Sequence, residues 1–177
     1  MLKYTGYIRK IRYYSESSHY IVALLEVEED QELLTMNGYM SNFNDYDKYA
    51  FYGDFEIHPK YGQQFKLDHY EIVLSTDEEE IIKYLSSPLF KGIGPTQAKY
   101  IVDALGENAL SLIKEDKHHL DLVKGMTVAK RELIYEVLTS NDYDQEVTQF
   151  FMGHGISLRH IGIIQETYKE KTLEILQ

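Results

Sequence analysis

The sequence lacks cysteine and tryptophan altogether, and none of its apolar runs approaches the length of a membrane span. Without cysteine the chain has no disulfide bonds, no thiolate nucleophile and no cysteine-based zinc site. Its first residues, Met1–Tyr4, open directly into strand-like sequence instead of the apolar core of a signal peptide. We therefore expect a globular, cytoplasmic protein that makes no contact with a membrane.

Motifs for catalysis are also missing. No Gly-x-x-x-x-Gly-Lys-Ser/Thr stretch occurs, which excludes a P-loop for ATP, and no Gly-x-Ser-x-Gly stretch indicates a serine nucleophile. The best candidates for metal ligands are His118, His119, His154 and His160. None of these forms the i, i+4 histidine pair with a carboxylate that zinc hydrolases use. We predict that the chain contains no catalytic site and no metal site.

Negative charge is in excess but unevenly distributed along the chain, whose net charge is −11. Residues 1–80 carry 7 basic and 16 acidic side chains, whereas residues 81–177 carry 11 basic and 13 acidic side chains. This balance argues against a protein that coats phosphates with lysine and arginine. Recognition of a phosphate backbone by main-chain amides tolerates it better, and it fits the nearly neutral second half.

The first part of the chain has the pattern of β-structure. Residues 1–74 alternate between apolar and polar positions and are rich in aromatic and β-branched side chains. The predicted strands are Lys3–Tyr13, His19–Val27, Leu33–Met40, Lys48–Ile57 and Gln63–Leu74. Five short strands favour a small barrel, with an OB-like fold as the first choice and an SH3-like barrel as the alternative. We predict an α+β protein of two domains, of which residues 1–75 form this barrel.

Tyrosine is abundant, with 16 in the chain. Tyr7, Tyr13 and Tyr20 lie close in sequence to the basic stretch Arg9–Arg12. Aromatic rings among cations can stack on bases while the cations follow the phosphates. In a barrel this small, about half of the rings should instead be core residues or cross-strand partners. Tyr7, Tyr13 and Tyr20 are the candidates for base stacking.

The stretch Ser75–Glu80 begins the helical half. Its acidic residues are better explained by a helix start than by a metal site, because three glutamates in a first turn complement the helix dipole. Ser75 or Thr76 is the predicted N-cap, and the helix is predicted to include Glu80–Leu85.

The most informative stretch follows this helix, and Phe90–Val102 reads Phe-Lys-Gly-Ile-Gly-Pro-Thr-Gln-Ala-Lys-Tyr-Ile-Val. The two glycines permit positive φ and close approach of a ligand to the backbone, while Ile93 can anchor the turn in the core. Pro95 suits the first position of a helix, whose free N–H groups form a site for a phosphate oxygen. This spacing predicts a helix-hairpin-helix loop, and the alternative is an ordinary tight turn in an all-α core. The candidate DNA contacts are Lys91, Gly92, Ile93, Gly94, Pro95, Thr96 and Lys99.

After Val102 the sequence is helical to the end with polar breaks, and two later stretches are degenerate echoes of the loop. Residues 76–177 are therefore predicted to form an all-α domain of tandem helix-hairpin-helix elements. Thr127 and Ser157 are good N-caps, which would satisfy internally the donors that a phosphate needs. The candidate contacts are Lys124, Gly125, Thr127, Lys130 and Arg131 in the second loop and Gly155, Ser157 and Arg159 in the third.

Two segments carry a family resemblance. Gly53–Phe65 resembles the Gly-x-aromatic-x-x-His-Pro-x-Tyr-Gly-x-Gln-Phe segment near the start of the RecD-like helicases that are independent of RecBC. Tyr84–Val102, with Lys-Gly-Ile-Gly-Pro at its centre, matches the next segment of the N-terminal extension of those helicases. Phe55 departs from the family pattern, which usually has tryptophan at this position.

The resemblance implies the N-terminal region of an ATP-dependent 5′-to-3′ DNA helicase that acts in DNA repair or recombination. Motor domains that use ATP and magnesium would follow downstream, so we expect a piece of a longer protein that needs no cofactor of its own. Its partners would be those motor domains and single-stranded or forked DNA, held by the backbone without sequence preference. The alternative is a docking or autoregulatory module that contacts the motor or another protein, which the acidic barrel half and the many tyrosines favour.

Overall fold

The structure is a computed structural model that describes residues 1–140 and residue 142. Two compact units contain residues 1–73 and residues 74–140. The first unit consists of strands and the second of helices, which confirms the prediction of a barrel followed by a helical part.

Five strands form the first unit. They are β1 Leu2–Tyr14, β2 Tyr20–Val27, β3 Leu33–Tyr39, β4 Lys48–His58 and β5 Gly62–Val73. No observed strand end differs from its predicted position by more than one residue. The agreement has a local cause, since alternate side chains of β2 are buried in the regular manner of a strand with one face on a core.

The strand order is β1-β2-β3-β5-β4, with β4 pairing back to β1 to close the barrel. Neighbouring strands are antiparallel except β3 and β5, which are parallel where Met36 pairs with Phe65. A closed five-stranded Greek-key barrel is the architecture of the OB fold. The OB-like prediction is therefore confirmed, and its SH3-like alternative is set aside.

An apolar core fills the barrel. All five strands, together with Met40, contribute to it, and its members are Ile8, Ile21, Ala23, Leu25, Met36, Met40, Tyr49, Phe51, Phe65 and Leu67. Tyr49 is fully buried and its hydroxyl accepts the N–H of Asn44 at 3.1 Å. Burial raises the pKa of Tyr49 far above its usual range, so this phenol stays neutral. Some tyrosines are thus core residues, as expected for so small a barrel.

Two glycines lie where their strand pairs closely with a neighbouring strand on each side. Gly6 of β1 pairs with both β2 and β4, and Gly53 of β4 pairs with both β1 and β5. A Cβ at Gly6 would lie 2.0 Å from the carbonyl oxygen of Glu26, and one at Gly53 would lie 2.0 Å from that of Lys66. Such distances are strongly repulsive, so barrel closure requires glycine at both positions.

Four α-helices form the second unit. They are α1 Glu78–Leu85, α2 Pro95–Leu105, α3 Ala109–Glu115 and α4 Val128–Thr139, with 3₁₀ segments at Gly106–Asn108 and Lys117–Leu122. The predicted polar breaks at residues 106–108 and 116–118 coincide with the ends of α2 and α3. No helix in the described part of the chain is long and apolar enough to cross a membrane.

The cap of α1 differs from the prediction. Asp77 is the N-cap, and its carboxylate accepts the N–H of Glu80 at 3.0 Å. The prediction of Ser75 or Thr76 is wrong, because the helix begins at Glu78 and the cap must lie directly before it. Ser75 instead donates its hydroxyl to the carboxylate of Glu80 at 2.6 Å, so it supports the helix start from outside.

The helical unit has its own apolar core. Its fully or nearly fully buried side chains are Ile81, Leu85, Phe90, Ile93, Ala98, Ile101, Val102, Ala109, Leu110, Ile113, Leu120, Val123, Ile134 and Leu138. Ile93 anchors the loop between α1 and α2, as predicted. Ala98 is completely buried in α2, where its small side chain fits the interior of the unit.

The close approach at the two barrel glycines makes the first testable prediction. Gly6→Ala or Gly53→Ala should each lower the free energy of unfolding by about 2–3 kcal/mol or more, because the new methyl group overlaps a backbone oxygen. Urea unfolding followed by circular dichroism measures this change. Gly94→Ala is the control, since a Cβ there meets no heavy atom within 4 Å. Unchanged midpoints for both barrel variants would contradict the argument for closure.

Candidate functional site

Three tyrosine rings meet on the outer wall of the barrel, and we call Tyr13, Tyr20 and Tyr39 the tyrosine patch. The ring centroids of Tyr13 and Tyr20 are 6.2 Å apart, and those of Tyr20 and Tyr39 are 5.4 Å apart with the rings edge to face. Tyr20 and Tyr39 are directly opposite each other in the β2–β3 ladder. Tyr13 is 56% exposed, which leaves its ring open to a ligand. The patch is a continuous aromatic surface across β1, the start of β2 and the end of β3.

The patch includes two of the three predicted stacking tyrosines and one residue that the sequence reasoning missed. Tyr39 is the missed residue. The one feature that could have identified it is the register of the β2–β3 hairpin, which places Tyr39 opposite Tyr20. Tyr7 lies elsewhere on the wall. It pairs with Glu26, four β2 residues from the partner of Tyr13, or roughly 13 Å away. Its ring lies under the guanidinium of Arg9, which also binds the Glu26 carboxylate.

Polar groups lie beside the patch. Asn37 is nearly buried and donates its amide to Gln64 at 2.8 Å and to Glu56 at 3.3 Å. Burial, followed by the proximity of Tyr39 and Glu56, raises the pKa of Tyr20. Its phenol therefore stays neutral well above physiological pH. Uncharged aromatic rings beside the amides of Asn37 and Gln64 and the carboxylate of Glu56 are suited to contact with flat, polar-edged groups such as nucleobases.

The turn between β4 and β5 explains the His-Pro-x-Tyr-Gly motif structurally. The His58 ring accepts the N–H groups of Lys60 at 3.0 Å and Tyr61 at 3.2 Å. The rings of His58 and Tyr61 are 4.9 Å apart, and the Lys60 ammonium lies 5.2 Å from the Tyr61 ring. Tyr61 is nevertheless 65% exposed. The histidine thus shapes a hairpin tip that presents an aromatic and a cationic side chain to solvent.

The first hairpin loop, Phe90–Gly94, joins α1 to α2. Gly92 has φ of +84°, whereas Gly94 is extended with φ of −92° and ψ of 177°. Gly92 uses the positive φ that glycine permits, whereas Gly94 is extended because it is the N-cap of α2 and N-caps are extended. Since Gly94 has no side chain, it cannot accept hydrogen bonds from the backbone N–H groups in the first turn of α2. The N–H group of Thr96, in that turn, is therefore free. A Cβ at Gly94 would meet no heavy atom within 4 Å, and Gly94, Pro95 and Thr96 are all exposed.

The second hairpin loop, Val123–Thr127, has the same backbone form. Gly125 has φ of +78°, and Thr127 is an extended N-cap with φ of −109° and ψ of 162°. In the first loop the N–H of Ile93 bonds the carbonyl of Phe90 at 3.1 Å, and in the second loop residues 126 and 123 form the same bond at 3.2 Å. The two loops are therefore structural repeats of each other, 33 positions apart.

One difference separates the two loops. Thr127 replaces Gly94, and its hydroxyl accepts the N–H of Lys130 at 3.2 Å. This cap consumes a first-turn donor of α4, as the sequence led us to expect, while the corresponding donors of α2 have no side-chain acceptor at the N-cap. The first loop is the better site for an anion.

Several lysines surround the loops. Lys91 and Lys99 are exposed, and within the described residues neither has a carboxylate within 4 Å. Lys130 likewise has no carboxylate partner there. The ammonium of Lys124 lies 5.3 Å from the centre of the Tyr100 ring in α2. These cations remain available to an anionic partner.

Arg131 is different, because its charge is already matched. Its guanidinium donates to Asp121 at 2.9 Å and to Glu132 at 3.1 Å, and Glu132 also accepts from Lys117 at 3.0 Å. Hydrogen bonds from His118 and then Arg131 lower the pKa of Asp121. Those from Lys117 and then Arg131 lower the pKa of Glu132. We therefore leave Arg131 out of the candidate interface.

Three predicted contacts, Gly155, Ser157 and Arg159, lie outside the described residues. Among the residues that the structure does describe, no group of three histidine or acidic side chains is arranged to hold a metal ion. Each unit therefore has its own candidate site, the tyrosine patch in the first unit and the first hairpin loop with its lysines in the second.

Comparison with protein families identifies the first unit. Residues 1–75 match the family model described as the OB-fold domain of the ATP-dependent DNA helicase YrrC. The matched residues coincide with the closed five-stranded barrel. The prediction of an OB-like domain at the start of the chain, similar to the OB-fold domain of an ATP-dependent DNA helicase, is confirmed for residues 1–75.

The ion network of Arg131 makes a prediction about pH. Asp121 and Glu132 have lowered pKa values in the folded state, so their stabilising effect is complete above the ordinary carboxyl values. It is lost as the pH falls through the lowered values, that is, below about 4. The thermal unfolding midpoint of the chain should fall on acidification in this range. In Asp121→Asn the fall should be smaller, because one titrating group is gone.

Glu136→Gln is the matched control for this experiment. The Glu136 carboxylate is on the same helix as Glu132 and contacts no basic side chain among the described residues. Its variant should keep the pH dependence of the original chain. Identical pH profiles for Asp121→Asn and the original chain would mean that the network contributes nothing to stability.

Proposed function

We propose that the chain is a non-catalytic DNA-binding module of an ATP-dependent DNA helicase of RecD type. The observation that carries this proposal is an OB barrel, matched to the OB-fold domain of a DNA helicase, that exposes an aromatic patch on its outer wall. OB folds bind oligonucleotides on the face of strands 2 and 3, where Tyr20 and Tyr39 lie. Single-stranded DNA is the substrate class that this surface fits best.

Stacking accounts for affinity in an acidic domain. Each base offers a π-face to an aromatic ring regardless of sequence, and such a contact is worth about 1–3 kcal/mol. Phosphate contacts by cations would be weaker here, because acidic side chains outnumber basic ones in residues 1–80 by 16 to 7. The tyrosine patch supplies stacking contacts without requiring phosphate contacts by cations. Binding is therefore expected to be independent of sequence.

The helical unit supplies a second mode of contact. We infer that its two hairpin loops belong to helix-hairpin-helix elements, since each has a positive-φ glycine, a buried or partly buried anchor and a helix starting directly afterwards. The first loop offers uncapped amides of α2 together with Lys91 and Lys99. Helix amino termini of this kind bind phosphate oxygens. The second loop contributes mainly Lys124 and Lys130.

The RecD type rests on the order of two segments. The Gly53–Phe65 segment and the Lys-Gly-Ile-Gly-Pro loop follow each other as they do in the N-terminal extension of that class. The chain would then guide a single strand or fork for motor domains that bind ATP and magnesium. DNA repair or recombination is the corresponding process, and the cytoplasm is the corresponding location.

Two observations favour the alternative of a docking module. Ile57 is 84% exposed at the end of β4, and Tyr61 is 65% exposed in the adjoining turn. The β2–β3 turn is strongly acidic, with Glu28, Glu29, Asp30 and Glu32. Apolar and acidic groups together fit a protein surface better than a nucleic acid. A cross-linking map of the chain with the helicase motor in the absence of DNA would distinguish this role.

The stacking argument is tested with variants of the patch. Tyr13→Ala and Tyr39→Ala should each weaken binding of labelled single-stranded DNA about tenfold, because one base loses its stacking partner. Fluorescence anisotropy measures the dissociation constants. Tyr13→Phe should bind normally, since it keeps the ring face. Tyr52→Ala is the control, because that ring is stacked on His69 on the wall formed by β4 and β5. Equal affinity of all four variants would exclude the patch.

The loop argument is tested with salt. Replacing both Lys91 and Lys99 by glutamine should weaken binding of forked DNA and reduce the slope of log affinity against log salt by about 0.9 per lysine for duplex contacts. Lys83→Gln, an exposed lysine in the last turn of α1, is the control and should leave the slope unchanged. A slope that does not change in the double variant would remove the first loop from the interface.

A further inference from the structure

The two hairpin loops are tied to each other by one side chain of α2. Gln97, in the first turn of that helix, donates its side-chain amide to the carbonyl oxygen of Lys124 at 3.0 Å. The other end of the same amide lies 3.3 Å from the position that a Cβ would take at Gly125. The second loop thus rests directly on Gln97, and a side chain at Gly125 would displace that amide by a few tenths of an ångström.

A second contact holds the same lysine from its other end. The Lys124 ammonium lies over the Tyr100 ring at 5.3 Å, within the range of a cation–π interaction. Gln97 and Tyr100 are three residues apart on α2, and side chains at this spacing share one helix face. That face therefore holds both the backbone and the side chain of Lys124 beside the amino-terminal half of α2.

This arrangement offsets a weakness of the first loop. The N-terminus of α2 has no acidic or basic residue in its first turn, and Pro95 lacks an N–H. Its first-turn donors therefore carry only the partial charge of the helix dipole. The second loop holds a full positive charge, the Lys124 ammonium, against Tyr100 of the same helix. The contacts join two loops that are 33 residues apart in sequence into one surface.

We propose that Gln97 is a positioning residue that couples the two hairpin loops, so that Lys124 acts together with the first loop on one stretch of DNA backbone. The proposal rests on the proposed DNA-binding function and adds a residue that does not itself need to touch DNA. The proposal has one distinguishing consequence. Replacing the uncharged Gln97 by another uncharged residue should change the salt dependence of DNA binding. Loss of Gln97 frees the second loop, and the contribution of Lys124 is lost with it.

The test is a double-mutant cycle with Gln97→Leu, Lys124→Gln and the double variant. Gln97→Leu removes the amide donor while it keeps a side chain of similar size. Binding of labelled forked DNA is measured by fluorescence anisotropy at several salt concentrations, after circular dichroism has shown the same helix content in all variants. Each single variant should weaken binding about three- to fivefold, the size of one exposed charge contact. The double variant should bind no more weakly than Lys124→Gln alone.

The salt dependence gives the sharper readout. Gln97→Leu should reduce the slope of log affinity against log salt by about 0.9, as Lys124→Gln does, although it removes no charge. A merely structural role of Gln97 would lower affinity and leave that slope unchanged. Tyr100→Leu should show the same loss of slope, whereas Tyr100→Phe keeps the ring face and should bind like the original chain. These two variants keep the test informative if Gln97→Leu fails to fold.

The outcomes separate this inference from the proposed function. If the original chain binds DNA and Lys91→Gln weakens binding, but Gln97→Leu has the original affinity and slope, the coupling is overturned and the function stands. Additive losses in the double variant also overturn it, since the two residues would then act independently. If the original chain binds no DNA even at low salt, the proposed function fails and the inference fails with it.

Discussion

The close approach of backbones at Gly6 is the constraint on which the barrel depends. At this residue β1 pairs with β2 on one side and β4 on the other, and a carbonyl oxygen occupies the place of a Cβ. Gly53 likewise avoids a clash between a Cβ and a carbonyl oxygen where β4 pairs with both β1 and β5. Closure leaves no free sheet edge and divides every strand into an inward and an outward face. The outward face of β1, β2 and β3 then collects Tyr13, Tyr20 and Tyr39.

The helical unit shows how one backbone form can serve two purposes. Both hairpin loops use a glycine with positive φ followed by an extended N-cap. In the first loop that N-cap is Gly94, which leaves donors free for a ligand. In the second it is Thr127, which satisfies a donor internally and makes the helix start self-sufficient. A single side chain at the cap thus decides whether the loop is open to an anion or serves as support.

Electrostatics constrain the proposed binding of this acidic chain to DNA, which is itself an acidic polymer. Its 29 acidic side chains outnumber its 18 lysines and arginines, and Arg131 is already neutralised by two carboxylates. What remains is aromatic surface, main-chain N–H groups and a small number of exposed lysines. Contacts of the first two kinds do not depend on net charge, and they recognise features that every nucleotide has. An acidic domain of this kind avoids non-specific attraction to nucleic acid while it keeps a defined contact surface.

The sequence alone determined the local features of this protein. Strand ends agree to one residue and α2 begins at Pro95 as predicted, because period-two alternation and the Gly-Pro helix start are encoded in neighbouring residues. The predicted cap of α1, Ser75 or Thr76, lies one or two residues before the observed one, because Ser75, Thr76 and Asp77 are all good N-caps and only the path of the chain selects Asp77.

Only the tertiary structure decided which distant residues meet. The β2–β3 register brought Tyr39 to Tyr20 and left Tyr7 roughly 13 Å away, and helix packing joined Gln97 to Lys124 and Arg131 to Asp121. Contacts at a few ångströms depend on register and packing across the whole unit. No pattern of neighbouring residues encodes them.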